Sequence, residues 1–200
     1  MRVGRLWWMV AGALSVALLL GARASAGEEA AKGKYVGVES CAKLCHKTAS
    51  QGKQLSIWQD SKHAQAYKLL LTDEAKEAAK KAGLKTPPEK SPECLKCHIT
   101  AYKAPAEQLD EGFSIEKGVQ CESCHGPGEN YKVKEIMKDR AKAIAAGLRI
   151  GDVKLCLTCH NDTSPTWKPD RFTTKDGQKV GFDYDQLWPK IAHKRPKETE

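Results

Sequence analysis

Large apolar side chains are scarce in this chain. Its 200 residues include 3 Phe, 5 Trp and 5 Tyr, set against 33 Lys plus Arg and 25 Asp plus Glu. A polypeptide so charged and so poor in aromatics makes only a thin core of its own. Long apolar runs are also missing: past Leu20 no stretch is apolar enough to cross a bilayer, which takes about 20 residues. There is no basic-aromatic motif of the kind that binds nucleic acid. Histidine is rare, with six copies, and no cysteine stands outside four short motifs.

Those motifs are Cys41-Ala-Lys-Leu-Cys45-His46, Cys94-Leu-Lys-Cys97-His98, Cys121-Glu-Ser-Cys124-His125 and Cys156-Leu-Thr-Cys159-His160. They use all eight cysteines and four of the six histidines. Cys-x-x-Cys-His is the attachment pattern of c-type haem, in which two thioether bonds fix the porphyrin and the adjacent His ligates the iron. Three copies have this spacing, and the first carries one extra residue between its cysteines. The expectation is four covalently bound haem c groups and redox chemistry.

Four disulfides are one rival reading for an exported chain with eight cysteines. They do not explain why His follows every second cysteine. Two tetrahedral zinc sites are another, but they would leave the four adjacent histidines idle.

Residues 1–26 read as a cleaved secretory signal. Arg2 and Arg5 supply the positive start, Leu6 to Leu20 the apolar stretch, and Ala24-Ser25-Ala26 the cleavage site. No cysteine lies near that site for a lipid anchor. Residues 27–200 then form one domain, periplasmic or extracellular, with no membrane span left after cleavage. Losing Arg2, Arg5 and Arg23 takes the formal charge from +8 to +5. Four haems with ionised propionates add roughly −4 to −8, so the lysine surplus reads as propionate counterions and solvated surface. The porphyrins supply the apolar mass that the sequence lacks. The fold class expected is mainly α: helices and loops wrapped around four covalent haems, with little or no β.

Periodicity predicts a helix over Gln54–Leu71, with Leu55, Trp58, His63, Ala66 and Leu70 mostly on one side. Thr72 is the expected N-cap of a helix over Asp73–Ala82, with Gly83 as its stop. Pro87, Pro88 and Pro92 predict a loop, and Glu129–Ala146 a helix stopped by Gly147. Asp152 is the expected cap of a short helix bearing the fourth motif. Asn161–Gly181 reads as turns with short strand pieces, Asp183–His193 as a final short helix limited by Pro189, and 194–200 as a disordered tail. Only 27 residues separate His98 from His125, which predicts close packing of the second and third haems.

Four irons have eight axial positions, and the motif histidines fill four. His63 and His193 are the remaining histidines, so at most two haems take a second imidazole from this chain. Met137 is the sole methionine outside the signal. It is a candidate ligand or a packing residue against a porphyrin. Tyr131, a lysine or a partner's histidine are the other options.

With these residues in view, the chain resembles the cytochrome c-554 family of tetrahaem cytochromes. The carriers are Tyr35-Val36-Gly37, Trp58-Gln59-Asp60-Ser61-Lys62-His63-Ala64, the run from Gly118 to Gly128 through the third motif, and Ile191-Ala192-His193. The resemblance implies a mainly helical fold with stacked and near-perpendicular haem pairs. It implies His63 and His193 as distal ligands and a five-coordinate haem at His98. Many relatives place a distal His a few residues after Gly-Pro-Gly, where this chain has Glu129, Asn130 and Tyr131.

Three functions compete at this level. The leading one is an electron carrier between other redox proteins, namely donor and acceptor cytochromes or a redox enzyme. The second is a reductase of nitric oxide, hydroxylamine, nitrite or peroxide at an open iron, with Tyr131 or Tyr67 as proton donor. The third is a haem-wire subunit of a multi-cytochrome complex, which leaves room for an oligomer.

Overall fold

The computed structural model describes residues 33–43 and 46–193. The expected export signal, Cys45 and the 194–200 tail lie outside the described residues. Ten short α-helices run in chain order among those described: α1 Gly37–Ala42, α2 Gln54–Gln59, α3 Ala66–Leu69, α4 Asp73–Lys81, α5 Pro92–His98, α6 Cys121–His125, α7 Lys134–Met137, α8 Arg140–Ala145, α9 Val153–Cys156 and α10 Tyr184–Leu187. Single 3₁₀ turns sit at Pro88–Lys90, Ala106–Gln108, Ile115–Lys117 and Trp188–Lys190. The sheet is one antiparallel pair, β1 Phe172–Thr173 with β2 Lys179–Val180, in register Phe172 to Val180. The mainly α expectation holds.

Local chemistry sets most of the helix ends. Thr72 Oγ1 accepts from Ala75 N at 3.2 Å and starts α4, and Gly83 ends it in the left-handed region at φ +73°. Asp139, Asp152 and Asp183 cap α8, α9 and α10 through bonds from the amides of Lys142, Leu155 and Gln186. Pro92 opens α5 at a position where its missing N–H costs nothing.

Two helices expected to be continuous are broken. The Gln54–Leu71 stretch stops at Gln59, turns through Ser61–Gln65 and restarts at Ala66. The cause is tertiary: the His63 carbonyl accepts the Val119 amide at 3.0 Å, and Ser61 Oγ donates to the Trp58 carbonyl at 2.7 Å. The Glu129–Ala146 stretch is helical only at Lys134–Met137 and Arg140–Ala145. Tyr131 is drawn back toward the third motif, and extended Asp139 (φ −107°, ψ 105°) starts a fresh helix as a cap.

The polypeptide core is thin. Among the described residues the buried apolar set is Val36, Val38, Ala42, Ala64, Ala66, Leu70, Ala79, Tyr131 and Ala143, five of them alanine. Larger side chains such as Leu69, Leu71, Ile144, Ile150, Leu157 and Trp188 stay exposed on the protein surface. What locks the chain instead is polar. Glu122 is fully buried, and its carboxylate accepts from Val36 N and Gly37 N at 2.8 Å each and from Gly128 N at 2.7 Å. Gln120 beside it accepts from Val38 N at 2.8 Å and donates to the Ser114 carbonyl at 2.9 Å. These bonds seat α1 against α6, so the first motif rests on the third.

Replacing Glu122 with alanine strands three buried amides. At ~1 kcal/mol or more for each unmet donor, Glu122→Ala is expected to lower holoprotein stability by about 3 kcal/mol in denaturant unfolding. Thr72→Ala, which removes one cap, is expected to cost about 1 kcal/mol in the same measurement.

Candidate functional site

In the described motifs a helical turn brings the two cysteines to one side with the histidine next to the second. Cys94, Cys97 and His98 lie on α5, and Cys121, Cys124 and His125 make up most of α6. In the fourth, Cys156 ends α9, and the amides of Cys159 and His160 turn back to its carbonyl at 3.2 and 2.9 Å. Spacing of three within a turn puts both sulfurs on one face, as double attachment to one ring requires.

The sulfurs of different motifs meet. Cys41 and Cys121 interact, and this interaction, followed by burial, pushes the Cys41 thiol well up. Cys97 and Cys159 form a second such pair, and Cys97 Sγ also donates to the Cys159 carbonyl at 3.9 Å. Burial, reinforced by neighbouring Cys156, pushes Cys124 up to about 11. The first motif therefore lies against the third, and the second against the fourth. The short interval between His98 and His125 predicted the second and third as the close pair. Their polypeptide segments touch, through Thr100 Oγ1 and Ser123 Oγ at 2.7 Å.

The histidines come in facing pairs. The rings of His63 and His160 have centroids 6.1 Å apart with planes at 59°, and those of His125 and His193 are 5.8 Å apart at 49°. Two imidazoles sharing one metal, each nitrogen about 2 Å from it, have centroids roughly 6 Å apart. Among the described residues no group of three His, Cys, Asp or Glu converges as a zinc site would need, and the seven described cysteines form no disulfide. Facing imidazole pairs, cysteines in turns beside them, and a thin core with exposed aliphatic side chains suit haem.

Each motif histidine is oriented. His98 Nδ1 lies 2.8 Å from the Ala66 carbonyl, and His125 Nδ1 lies 2.9 Å from the Arg149 carbonyl. A carbonyl only accepts, so Nδ1 carries the proton and Nε2 keeps its lone pair for iron. Arg149 N returns a bond to the His125 carbonyl at 2.9 Å. His46 is held by the Gln54 side chain, and burial pushes its pKa down. Phe182 stacks on His160, with centroids 4.8 Å apart and planes at 24°. Burial also holds His63 and His160 below the usual imidazole range, which keeps them in the neutral form a metal needs.

His63, in the turn between α2 and α3, is positioned by a distant segment. Trp58 Nε1 donates to the Val119 carbonyl at 2.8 Å, and Val119 N donates to the His63 carbonyl at 3.0 Å. Gly118 permits this clamp: its φ is +71°, and a Cβ there would stand 2.7 Å from the His63 oxygen. Ala66, three residues on, orients His98, so one segment serves two motifs.

Of the other expected candidates, Tyr131 is 4 % exposed, and its hydroxyl donates to the carbonyls of Gly126 at 2.7 Å and His125 at 3.2 Å. Its phenol is pushed up by burial. It serves to fold the Gly-Pro-Gly turn. Met137 lies half-buried on α7. Sequence reasoning missed Ala66, Arg149, Gln54 and Phe182 as orienting residues. Two of them act through backbone carbonyls, which leave no residue-type signal. It also missed Glu122, whose place inside the third motif was the available hint.

The family model described as Cytochrome c554 and c-prime matches residues 40–126. Cytochrome c-554 of Nitrosomonas europaea is 30% identical over 186 residues, covering 79% of this chain and 73% of that protein. No solved structure matches.

Adding a methyl at Gly118 forces the His63 carbonyl aside. Gly118→Ala is expected to turn part of one low-spin ferric signal high-spin in electron paramagnetic resonance (EPR). Gly177→Ala, at another positive φ with nothing within 4 Å, is expected to leave the spectrum unchanged.

Proposed function

We propose that this chain, which belongs to the cytochrome c-554 family, is an exported tetrahaem electron carrier that passes single electrons between redox proteins. As a member of that family it is a c-type cytochrome of electron transfer with covalent haem c. The count of four, the carrier role and the ligand set are our reading. The observation that carries it is the pair of facing imidazole pairs, His63 with His160 and His125 with His193.

Each haem, once attached, supplies a one-electron iron couple. The residues do the rest. Cys41 and Cys45, Cys94 and Cys97, Cys121 and Cys124, and Cys156 and Cys159 hold the four groups. His46, His98, His125 and His160 would each ligate one iron, and His63 and His193 would supply second imidazoles beside His160 and His125. Imidazoles fixed by carbonyl acceptors need not move when the metal changes charge, which keeps reorganisation small. We read these contacts, with Cys124 beside Gly151 of the fourth motif's approach, as an order first, third, fourth, second that would give electrons a continuous row. Export supports the reading from the sequence side, through the signal at residues 1–26 and the cysteine chemistry. Among the described residues no helix is long and apolar enough to cross a membrane, so donor and acceptor would dock on the outer face of the folded chain.

Intact mass and the pyridine haemochrome assay on purified holoprotein are expected to give four haems per chain, and coulometric oxidation of the reduced protein four electrons. Three haems would remove the first motif from the scheme. His63→Ala and His193→Ala are each expected to add one high-spin iron, and no change in either variant would break the pairing.

A further inference from the structure

Arg149 meets the third motif with both its backbone and its side chain. Its amide donates to the His125 carbonyl at 2.9 Å, and its own carbonyl accepts from His125 Nδ1 at 2.9 Å. Its guanidinium Nη2 donates to the carbonyls of Glu122 at 3.4 Å and Ser123 at 3.3 Å. Gly126 permits this approach, since a Cβ there would stand 3.1 Å from Arg149 Nε. The chain just beyond follows the same helix: a Cβ on Gly151 would stand 3.8 Å from the Cys124 Cβ.

The two halves of this residue do different things. The backbone half fixes the imidazole, because its carbonyl holds the proton on Nδ1 and leaves Nε2 for a metal. That half is indifferent to which side chain stands at position 149. The side-chain half sets a permanent positive charge against carbonyls of α6, the helix that carries Cys121, Cys124 and His125. Carbonyls near a helix C-terminus have no partner within the helix and attract a cation. The ion pairs among the described residues are those of Lys76, Lys117 and Lys142, so no carboxylate among them is paired with the guanidinium.

We propose that Arg149 is a positioning residue whose guanidinium raises the reduction potential of the iron at His125, while its carbonyl holds the imidazole still. Oxidation leaves one more positive charge at a metal, and a fixed cation beside the attachment turn opposes it. The side chain is exposed, so water and salt weaken the effect and the shift is small. The inference rests on the haem and the ligand pairing proposed above for the third motif.

The test is an EPR-monitored redox titration of the purified holoprotein, following the low-spin signal that disappears in His193→Ala. Arg149→Gln keeps an amide donor for the α6 carbonyls and loses the charge. It is expected to move that iron's equilibrium about threefold toward the oxidised form, a potential about 30 mV lower, with the low-spin signal retained. Arg149→Lys keeps the charge and loses the planar fork, and is expected to hold the wild-type potential. A wild-type potential in Arg149→Gln overturns the proposal, and so does a Lys variant that falls as far as the Gln variant. A high-spin signal in Arg149→Gln also overturns it, because the side chain would then be holding the ligand geometry. Lys81→Gln removes an equal charge from α4, and an equal fall there overturns the proposal by making net charge the cause. His193→Ala separates the two readings. If it removes no low-spin signal, the pairing fails and this inference falls with it; if it does and Arg149→Gln leaves the potential alone, this inference alone fails.

Discussion

Residues Gly118 to Glu122 form a comb of hydrogen bonds on which the rest of the structure hangs. Gly118 O receives the Thr100 amide, and Val119 clamps Trp58 and His63. The Gln120 side chain holds Val38 and Ser114, while its amide donates to Thr100 Oγ1 at 2.7 Å. Glu122 gathers Val36, Gly37 and Gly128. Four of these five residues thereby connect the segments before the first motif, after the second, around His63, and after the third. Each bond is buried or half-buried, where an unmet partner is costly. Three motifs and one further histidine are thus set relative to one another by the segment that leads into α6.

That arrangement suits a chain with little apolar mass. Alanine dominates its core, and its larger aliphatic side chains stand at the protein surface. Small residues let backbone segments approach closely enough for direct polar contacts, as at Gly118 and at Gly128, where a Cβ would stand 2.9 Å from Val36. Haem attachment adds four large apolar plates, on our reading, and gives Leu69, Leu71 and their like something to cover. Polar bonds then set position and the porphyrins supply bulk.

The row of motifs ties this frame to electron transfer. On our reading the motifs follow one another in the order first, third, fourth, second, with the first held against the third and the second against the fourth. Facing imidazoles sit at the inner two positions. On our reading, two imidazoles on an iron would keep its surroundings fixed as electrons pass.

Local chemistry was legible in the sequence where it acts over a few residues. Thr72, Gly83, Asp152 and Asp183 mark helix ends by short-range hydrogen bonding and backbone preference, and the structure has them there. The four Cys-His motifs named the cofactor class, because double attachment needs that spacing, and the number of histidines bounded the ligand set. The helices read across Gln54–Leu71 and Glu129–Ala146 were not continuous, because Val119 and Gly126 take part in breaking them from 56 and 5 residues away. Periodicity carries no record of such partners. Which motif touches which, which imidazole faces which, and that Ala66 and Arg149 orient the histidines through carbonyls were decided by tertiary structure alone. Those contacts depend on where the backbone travels between motifs, and that path is set by long-range hydrogen bonds that no residue type announces.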